Sequence, residues 1–371
     1  MISAAEIYIG LMSGTSVDSI DAAAMTFNDG QLQLIGTYSQ PIPAILKRNI
    51  IDLCQPGRDS VQLYCQTDSQ LGELFAKAVV ALMSAESIAP DQVAAIGSHG
   101  QTIRHAPPGT SAIAFTQQIG DANIIAARTG CKVVADFRRK DMALGGHGAP
   151  LVPAFHQTLF SDPTKSRVIA NIGGISNITV LANDGHCYGF DTGPGNLLLD
   201  AWCNKHTGCS FDDKGIWGAS GQSDDKLLSR LKFHPFLALP APKSTGREAF
   251  NLSWLEQQLT DLDLIAEDVQ ATLMNFTAQT LAEAIRALKE PIDEIYICGG
   301  GVFNEALMTQ LQSNLGAIPV QSTQQLGLDP AWVEACAFAW LARQRLHGLP
   351  GNLPRVTGAS RETSLGAVYL P

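Results

Sequence analysis

Apolar positions alternate with polar ones, or gather in short blocks, through the first forty residues. "IYIGLM" (7–12), "SIDAAAMTF" (19–27) and "QLQLIGTYS" (31–39) read as three strands. The first two are joined by a turn of small residues, "SGTSVD", and the last two by Asn-Asp-Gly. Helical spacing follows over about 43–55 and 60–86. Strands then read at "VAAIGSH" and "AIAFTQQ", a helix at "DANIIAARTG" and a strand at "KVVADF". A Gly-rich loop, "RRKDMALGGHGAP", closes this block.

A second block starts at Arg167 on the same plan: strand "RVIANI", turn "GGIS", strand "NITVLA", then "HCYGF". Helices and a buried-looking strand, "EIYICGG", follow. The late stretch "DPAWVEACAFAWLARQRL" carries an apolar face at i, i+3, i+4 spacing, and the tail after Pro350 returns to loop and a short strand. Two blocks that open alike hint at two copies of one unit. Strands mixed with crossover helices predict an α/β fold in two lobes with a cleft between them.

At 371 residues the chain exceeds one ordinary core, which also favours two domains. Hydrophobic residues make up 45% and charged ones only 16%, so the cores are expected to be well filled. No apolar run is long enough to span a membrane. "MISAAEIYIG" has neither a basic n-region nor an apolar h-region, so an unexported protein is expected. The net charge of −10 argues against nucleic acid or an anionic membrane as a partner. An anionic small substrate then needs a metal ion or local basic groups. The eight cysteines include no C-x-x-C pair and read as scattered small hydrophobes in a reducing compartment, not a disulfide or zinc framework.

Three turns carry candidate chemistry. "LMSGTSVDSID" (11–21) offers Gly14 for close approach, hydroxyls at 13, 15 and 16, and the carboxylates Asp18 and Asp21. Such a turn can hold phosphate oxygens on backbone N–H groups, with an acid nearby for Mg²⁺; it can equally be a plain hairpin turn. It is not a Walker A loop, because no Gly-Lys-Ser/Thr follows. "NIGGISN" (171–177) repeats the arrangement, and two such hairpins could grip a polyphosphate from both sides. "ICGGGVFN" (297–304) sets three glycines directly after a strand, where a nucleotide can lie against bare backbone. "GSHGQTIRH" (97–105) reads as a polar turn suited to a polyol, although His99 also fits an ordinary loop histidine. "ADFRRKD" (135–141) holds the densest positive cluster, a place for an anionic group or simply a solvated loop. Glu334, near the start of an apolar helix, matches the helix dipole on pattern alone.

"GFDTGPGNLLLDAW" (189–202) sets Asp191 between an apolar strand end and a turn of Thr, Gly and Pro. Asp191 or Thr192 can cap a helix starting near Pro194. Hydrophobic-Asp-Thr-Gly is also the aspartic-protease signature, but that enzyme needs two such aspartates, and this chain has one followed by Pro194. The favoured reading is a general base at a phosphoryl-transfer cleft, with small residues 192–195 leaving room for substrate.

Nine segments in order resemble the 1,6-anhydro-N-acetylmuramic acid kinase family: "LMSGTSVDSID", "SHGQT", "ADFRRKDMALGGHGAPLVPAFH", "NIGGISNIT", "GFDTGPGN", "FDDKGIWGASG", "STGREAFN", "ICGGGVFN" and "EACAFAWLA". Ser19, His147 and Cys336 depart from the family's usual Gly, Gln and Leu. The resemblance implies a two-lobed actin-like, sugar-kinase ATPase fold, its ribonuclease-H-like lobes enclosing a central ATP and sugar cleft. Residues 1–145 would form the N-terminal lobe and 146–371 the C-terminal lobe, with the last segment packing back on the first.

The implied reaction joins 1,6-anhydro-N-acetylmuramate, ATP and water to give N-acetylmuramate 6-phosphate and ADP. By position in the family motifs, Asp191 would activate the water and Glu334 would assist or touch the sugar. ATP would be held by Gly14, Thr15, Ser16, Val17, Asp18, Ser19, Ile20 and Asp21, and by Gly193, Gly195, Asn196, Gly299, Gly300 and Gly301. Asp18 would be the link to Mg²⁺. Ser98, His99, Gln101 and Thr102 would touch the sugar beside Asp191 and Glu334. The resemblance further implies a cytoplasmic homodimer that recycles cell-wall fragments. Two rivals stand beside it: a kinase of the same superfamily acting on a free sugar hydroxyl, and an ATP-driven binding module.

Overall fold

The computed structural model describes residues 6–14, 16–28, 31–241 and 243–371. The alternation of the first forty residues yields β1 (Ile7–Met12), β2 (Ser19–Asn28) and β3 (Gln31–Pro41), an antiparallel meander. β4 (Val93–Ser98) lies parallel to β1 on its other side, and β7 (Val133–Ala135) lies parallel to β4. Between them β5 (Gln101–Ala106) and β6 (Phe115–Ile119) form a separate antiparallel pair. The polar stretch after His99 is therefore a strand and not a turn. Its polar side chains bond across the ladder, so its alternation carries little apolar signal.

One face of this sheet is covered by the helix Val61–Ala85, which buries Leu71, Phe75, Val79 and Leu82 in a core shared with Ile9, Leu11, Ile20 and Ile96. Ser60 caps that helix by accepting the Leu63 N–H. A second correction lies at 137–143. The expected Gly-rich loop begins with a helix, Phe137–Ala143, whose first residue is buried. Only its remainder is irregular.

The second unit spans Phe160–Ala331. β8 (Arg167–Ile172), β9 (Ile175–Leu181) and β10 (Cys187–Pro194) form another antiparallel meander. β11 (Glu294–Cys298) and β12 (Val320–Ser322) extend it in parallel, giving the order β10–β9–β8–β11–β12. The long helix Ala266–Arg286 packs behind β9 and β10, and its Leu273, Phe276 and Leu281 share a core with Val168, Ile178 and Ile297.

The first unit combines Met1–Leu159 with Trp332–Pro371. β13 (Ala367–Tyr369) pairs with β7 and completes the order β13–β7–β4–β1–β2–β3. The helix Val333–Leu346 lies on β1 and β4. Its residues from Ala335 to Ala342 are all buried, so the expected single apolar stripe is in fact burial on every side. Two glycines permit this approach. A Cβ on Gly10 would stand 1.8 Å from the Ala335 carbonyl oxygen, and one on Gly97 2.0 Å from that of Phe338. Among the described residues no helix is long and apolar enough to cross a membrane.

Candidate active site

Asp191 lies within β10, opposite Asn177, and not in a turn beyond the strand. The register slips between Asp191 and Gly193, and this bulge frees the carboxylate from strict alternation. Its backbone N–H donates to the Lys243 carbonyl at 3.0 Å. Its Oδ2 accepts the Ser244 hydroxyl at 3.0 Å and the Thr245 N–H at 2.9 Å. Oδ1 has no hydrogen-bonding partner among the described residues. Burial pushes the carboxyl up to about 6, against the Thr245 and Ser244 bonds that pull it down. One oxygen is anchored and the other is left to accept a proton near neutral pH, the arrangement a general base needs.

The glycines around Asp191 serve backbone contact. Gly193 has φ +147°, a conformation open mainly to glycine. A Cβ on Gly195 would stand 2.3 Å from the Gly173 carbonyl oxygen. The N–H groups of Gly195 and Asn196 instead donate to Gly174 and Gly173 at 2.9 and 2.8 Å. These bonds fix the start of the helix Asn196–Thr207 on the β8–β9 turn, and Thr277 closes it by donating to the Gly195 carbonyl. The helix thus starts two residues later than Pro194, and its start is held by these backbone bonds, not by an Asp191 or Thr192 side-chain cap.

Past β11, Gly299 (φ +80°) passes so close to Asn171 that a Cβ would meet its Oδ1 at 2.2 Å. Gly301 packs as closely on Ile172, while Gly300 faces the Asn196 amide. Gly173, Gly195, Asn196 and Gly299–Gly301 thereby gather at the C-terminal ends of β8 and β11, where open α/β sheets bind ligands. Asn171 Oδ1 is buried there without a partner.

In the first unit the β1–β2 turn holds Gly14, Ser16, Val17 and Asp18; Thr15 lies outside the described residues. Val17 takes φ +56°, strained for a β-branched residue, and its N–H donates to the Gly14 carbonyl at 3.2 Å. The turn ends at Asp18, so Ser19, Ile20 and Asp21 belong to β2. The side chains of Val17 and Ile20 are buried in the core, which leaves only their backbone for a ligand. Asp18 is exposed and paired with Lys47. Asp21 accepts the Ser19 and Ser39 hydroxyls, and burial raises its carboxyl.

A second polar cluster lies in this unit. Ser13 donates to Gln101 at 2.6 Å, both buried, and Thr102 accepts from Gln118. His99 stacks on Phe338 and accepts Arg138 through Nε2, at 3.2 and 2.8 Å, so its proton sits on Nδ1. Burial, then Arg138, hold His99 well below the usual histidine range. Burial lowers Arg138 to about 10, opposed by Glu334 and Asp141. Glu334 is raised by burial; Arg138 works against this and Asp21 with it. The helix-start acid of the sequence is therefore a half-buried charge within the field of Arg138.

Three groups escaped sequence reasoning. Lys243–Thr245 hold Asp191, and nothing in their pattern announces it. Arg138 and Asp141 were hidden in a run that also fits a solvated loop. The structure divides that run: Arg139 and Lys140 are exposed, while Asp141 is fully buried. Its oxygens accept the Gly148 N–H at 2.8 Å and the Asn352 and Thr357 side chains at 2.7 Å each. The Gly148 carbonyl in turn accepts Arg138 at 2.8 Å.

The family model described as anhydro-N-acetylmuramic acid kinase matches residues 6–371. The anhydro-N-acetylmuramic acid kinase of Shewanella loihica is 50% identical over 98% of both chains. That of Vibrio cholerae is 50% identical over 99% of both, and that of Shewanella oneidensis 52% identical over 98% of both. With the family model and these relatives matching over nearly the full length, the chain belongs to the anhydro-N-acetylmuramic acid kinase family.

Proposed function

We propose that Asp191 activates the water with which this kinase opens 1,6-anhydro-N-acetylmuramate while phosphorylating O6 from ATP. The observation that carries this reading is the Asp191 carboxylate itself. It is anchored through Oδ2, open at Oδ1 and raised to about 6. The anhydro sugar has no free 6-hydroxyl, because O6 is tied to C1, so an ordinary base has no proton to remove there. Water gives its proton to Asp191 and bonds to C1. The C1–O6 bond breaks, O6 takes the γ-phosphoryl group, and ADP leaves.

Glu334, held beside Arg138, supplies a second acid for the sugar or its water. Backbone at Gly193, Gly195 and Gly299–Gly301 suits the close approach of a nucleotide. The donor set suits a Mg²⁺ ion that arrives on ATP. Among the described residues no three His, Cys, Asp or Glu side chains come together, and such an ion takes most of its ligands from phosphates and water. Asp18 would then reach it only through water. Use of ATP fits a cytoplasmic kinase of cell-wall sugar recycling; the homodimer rests on the family alone.

Turnover in ¹⁸O-water tests the reading. The product should carry the label on the C1 hydroxyl. Label in inorganic phosphate, with the sugar unlabelled, means plain ATP hydrolysis and ends the proposal.

A further inference from the structure

An anchor must itself be held. The strap 243–245, which accepts the Asp191 N–H and donates to its Oδ2, belongs to no helix or strand. Among the described residues, the strap's main-chain hydrogen bonds run to Asp191 itself. A strap ordered only by the group it holds would hold nothing. Its second tie is the Lys243 ammonium. Nζ donates to the Leu237 carbonyl at 3.0 Å and to the Phe236 carbonyl at 3.3 Å, both in the short helical turn Pro235–Ala238. It also stands 4.7 Å over the Phe236 ring. A cation suits both the carbonyls of such a turn and the face of such a ring.

That turn is fixed in its own right. Phe236 is buried in the second unit's core, edge-on to Phe250 at 6.0 Å between ring centres. Leu237 lies on β10, its Cδ2 3.3 Å from where a Cβ on Gly193 would stand. One lysine thus joins the core, the strand that carries Asp191 and the strap that holds its carboxylate. Charge adds to position. Beyond burial and the Thr245 and Ser244 bonds, Glu248 raises the Asp191 carboxyl and Lys243 lowers it. Burial lowers the half-buried Lys243 in turn, and Asp191 opposes this.

We propose that Lys243 is a positioning residue for Asp191, tying the strap 243–245 to the turn Pro235–Ala238 so that Oδ2 stays anchored and Oδ1 stays open to the water. The inference rests on the base role given to Asp191 above. Lys243 acts through the strap and touches no reacting atom.

Steady-state kinetics and kcat/KM–pH profiles of Lys243→Met and Lys243→Arg provide the test. Lys243→Met keeps the stem and loses the donors and the charge. Its kcat should fall about tenfold to a hundredfold, with KM for ATP within about twofold of the parent. The acid limb of kcat/KM, which reports the base in the free enzyme, should move to higher pH, because losing a nearby cation favours the protonated acid. ATP ionises alike with every variant, so its own titration cancels in the comparison. Lys243→Arg restores charge and donors, and should return most of kcat and the parental limb. Lys243→Gln, which keeps a donor without the charge, replaces a Met variant that does not fold, and its limb should move as well. A parental kcat and limb in Lys243→Met overturn the inference. So does an equal loss in Lys243→Met and Lys243→Arg with the limb unmoved, since the lysine would then only fill space. Asp191→Asn, run alongside, separates the two readings. Parental turnover there removes the base and this inference together, whereas a dead Asp191→Asn beside a parental Lys243→Met removes this inference alone.

Discussion

Both units open with a strand, a small-residue turn and an antiparallel strand, yet the two turns are built differently. The β8–β9 turn is short, and backbone packs on it: Gly195 and Asn196 donate to Gly174 and Gly173 respectively, with no room for a side chain at Gly195. The β1–β2 turn is longer and strained at Val17, and a Cβ on Gly14 would meet nothing within 4 Å. The second unit positions Asp191 through close main-chain contact. The first works through side chains, with Arg138 bonded to both His99 and the Gly148 carbonyl and within the field of Glu334. Substitutions should therefore fail in different ways in the two units.

The largest effect is expected at Asp191. Asp191→Asn should lose about 10²–10⁴-fold in kcat while still binding ATP and sugar. Its stability should move the other way. The folded carboxyl, at about 6, lies above its ordinary value of 3.8, so the ionised form destabilises the native state. The parent regains that stability as pH falls through 6 towards 4. The variant, with nothing to titrate, should be more stable by about 1–3 kcal/mol at pH 8, and the gain should vanish near pH 4. Urea titrations of both proteins at the two pH values would show it. A variant less stable at pH 8 would mean that its Ser244 and Thr245 bonds outweigh desolvation.

The comparison of turns is sharpened by a pair of glycines. Gly195→Ala should cost about 2–4 kcal/mol, because the 2.3 Å clash is with main chain that cannot swing aside. Gly14→Ala should change stability by no more than about 0.5 kcal/mol. If Gly14→Ala raises KM for ATP while leaving stability alone, the open space over that turn is where phosphate lies. Equal tolerance at both sites would break the contrast.

How far such contrasts are legible in sequence depends on which force builds each element. The β1–β3 and β8–β10 meanders show themselves as short apolar blocks broken by small-residue turns, and β1 and β8 are buried along nearly their whole length. β5 hides because its side chains bond to one another across a two-stranded ladder. Gly10 and Gly97 give no local sign that a helix over 240 residues away will lie on them. At the site, Asp191 stands out through its turn residues. The loop that anchors it, Lys243–Thr245, comes from more than fifty residues away, and no short-range period records that meeting. Arg138 and Arg139 are adjacent and identical in type; only tertiary packing makes one half-buried and the other exposed.

The smallest expected effect is at Asp18. Its ion pair with Lys47 is exposed, and exposed pairs add little to stability, so Asp18→Asn should melt close to the parent. If the carboxylate holds the ATP-borne ion through water, the variant should need more Mg²⁺. KM for ATP should rise about threefold to tenfold at limiting Mg²⁺ and recover when Mg²⁺ is saturating. Lys47→Met separates the two roles, since it removes the pair and keeps the acid. It should bind Mg–ATP at least as well as the parent, because a competing cation is gone. A matching loss in both variants would instead mean that the pair, by holding the chain where β2 begins and Ile42 bonds to the Asp18 carbonyl, shapes the turn itself.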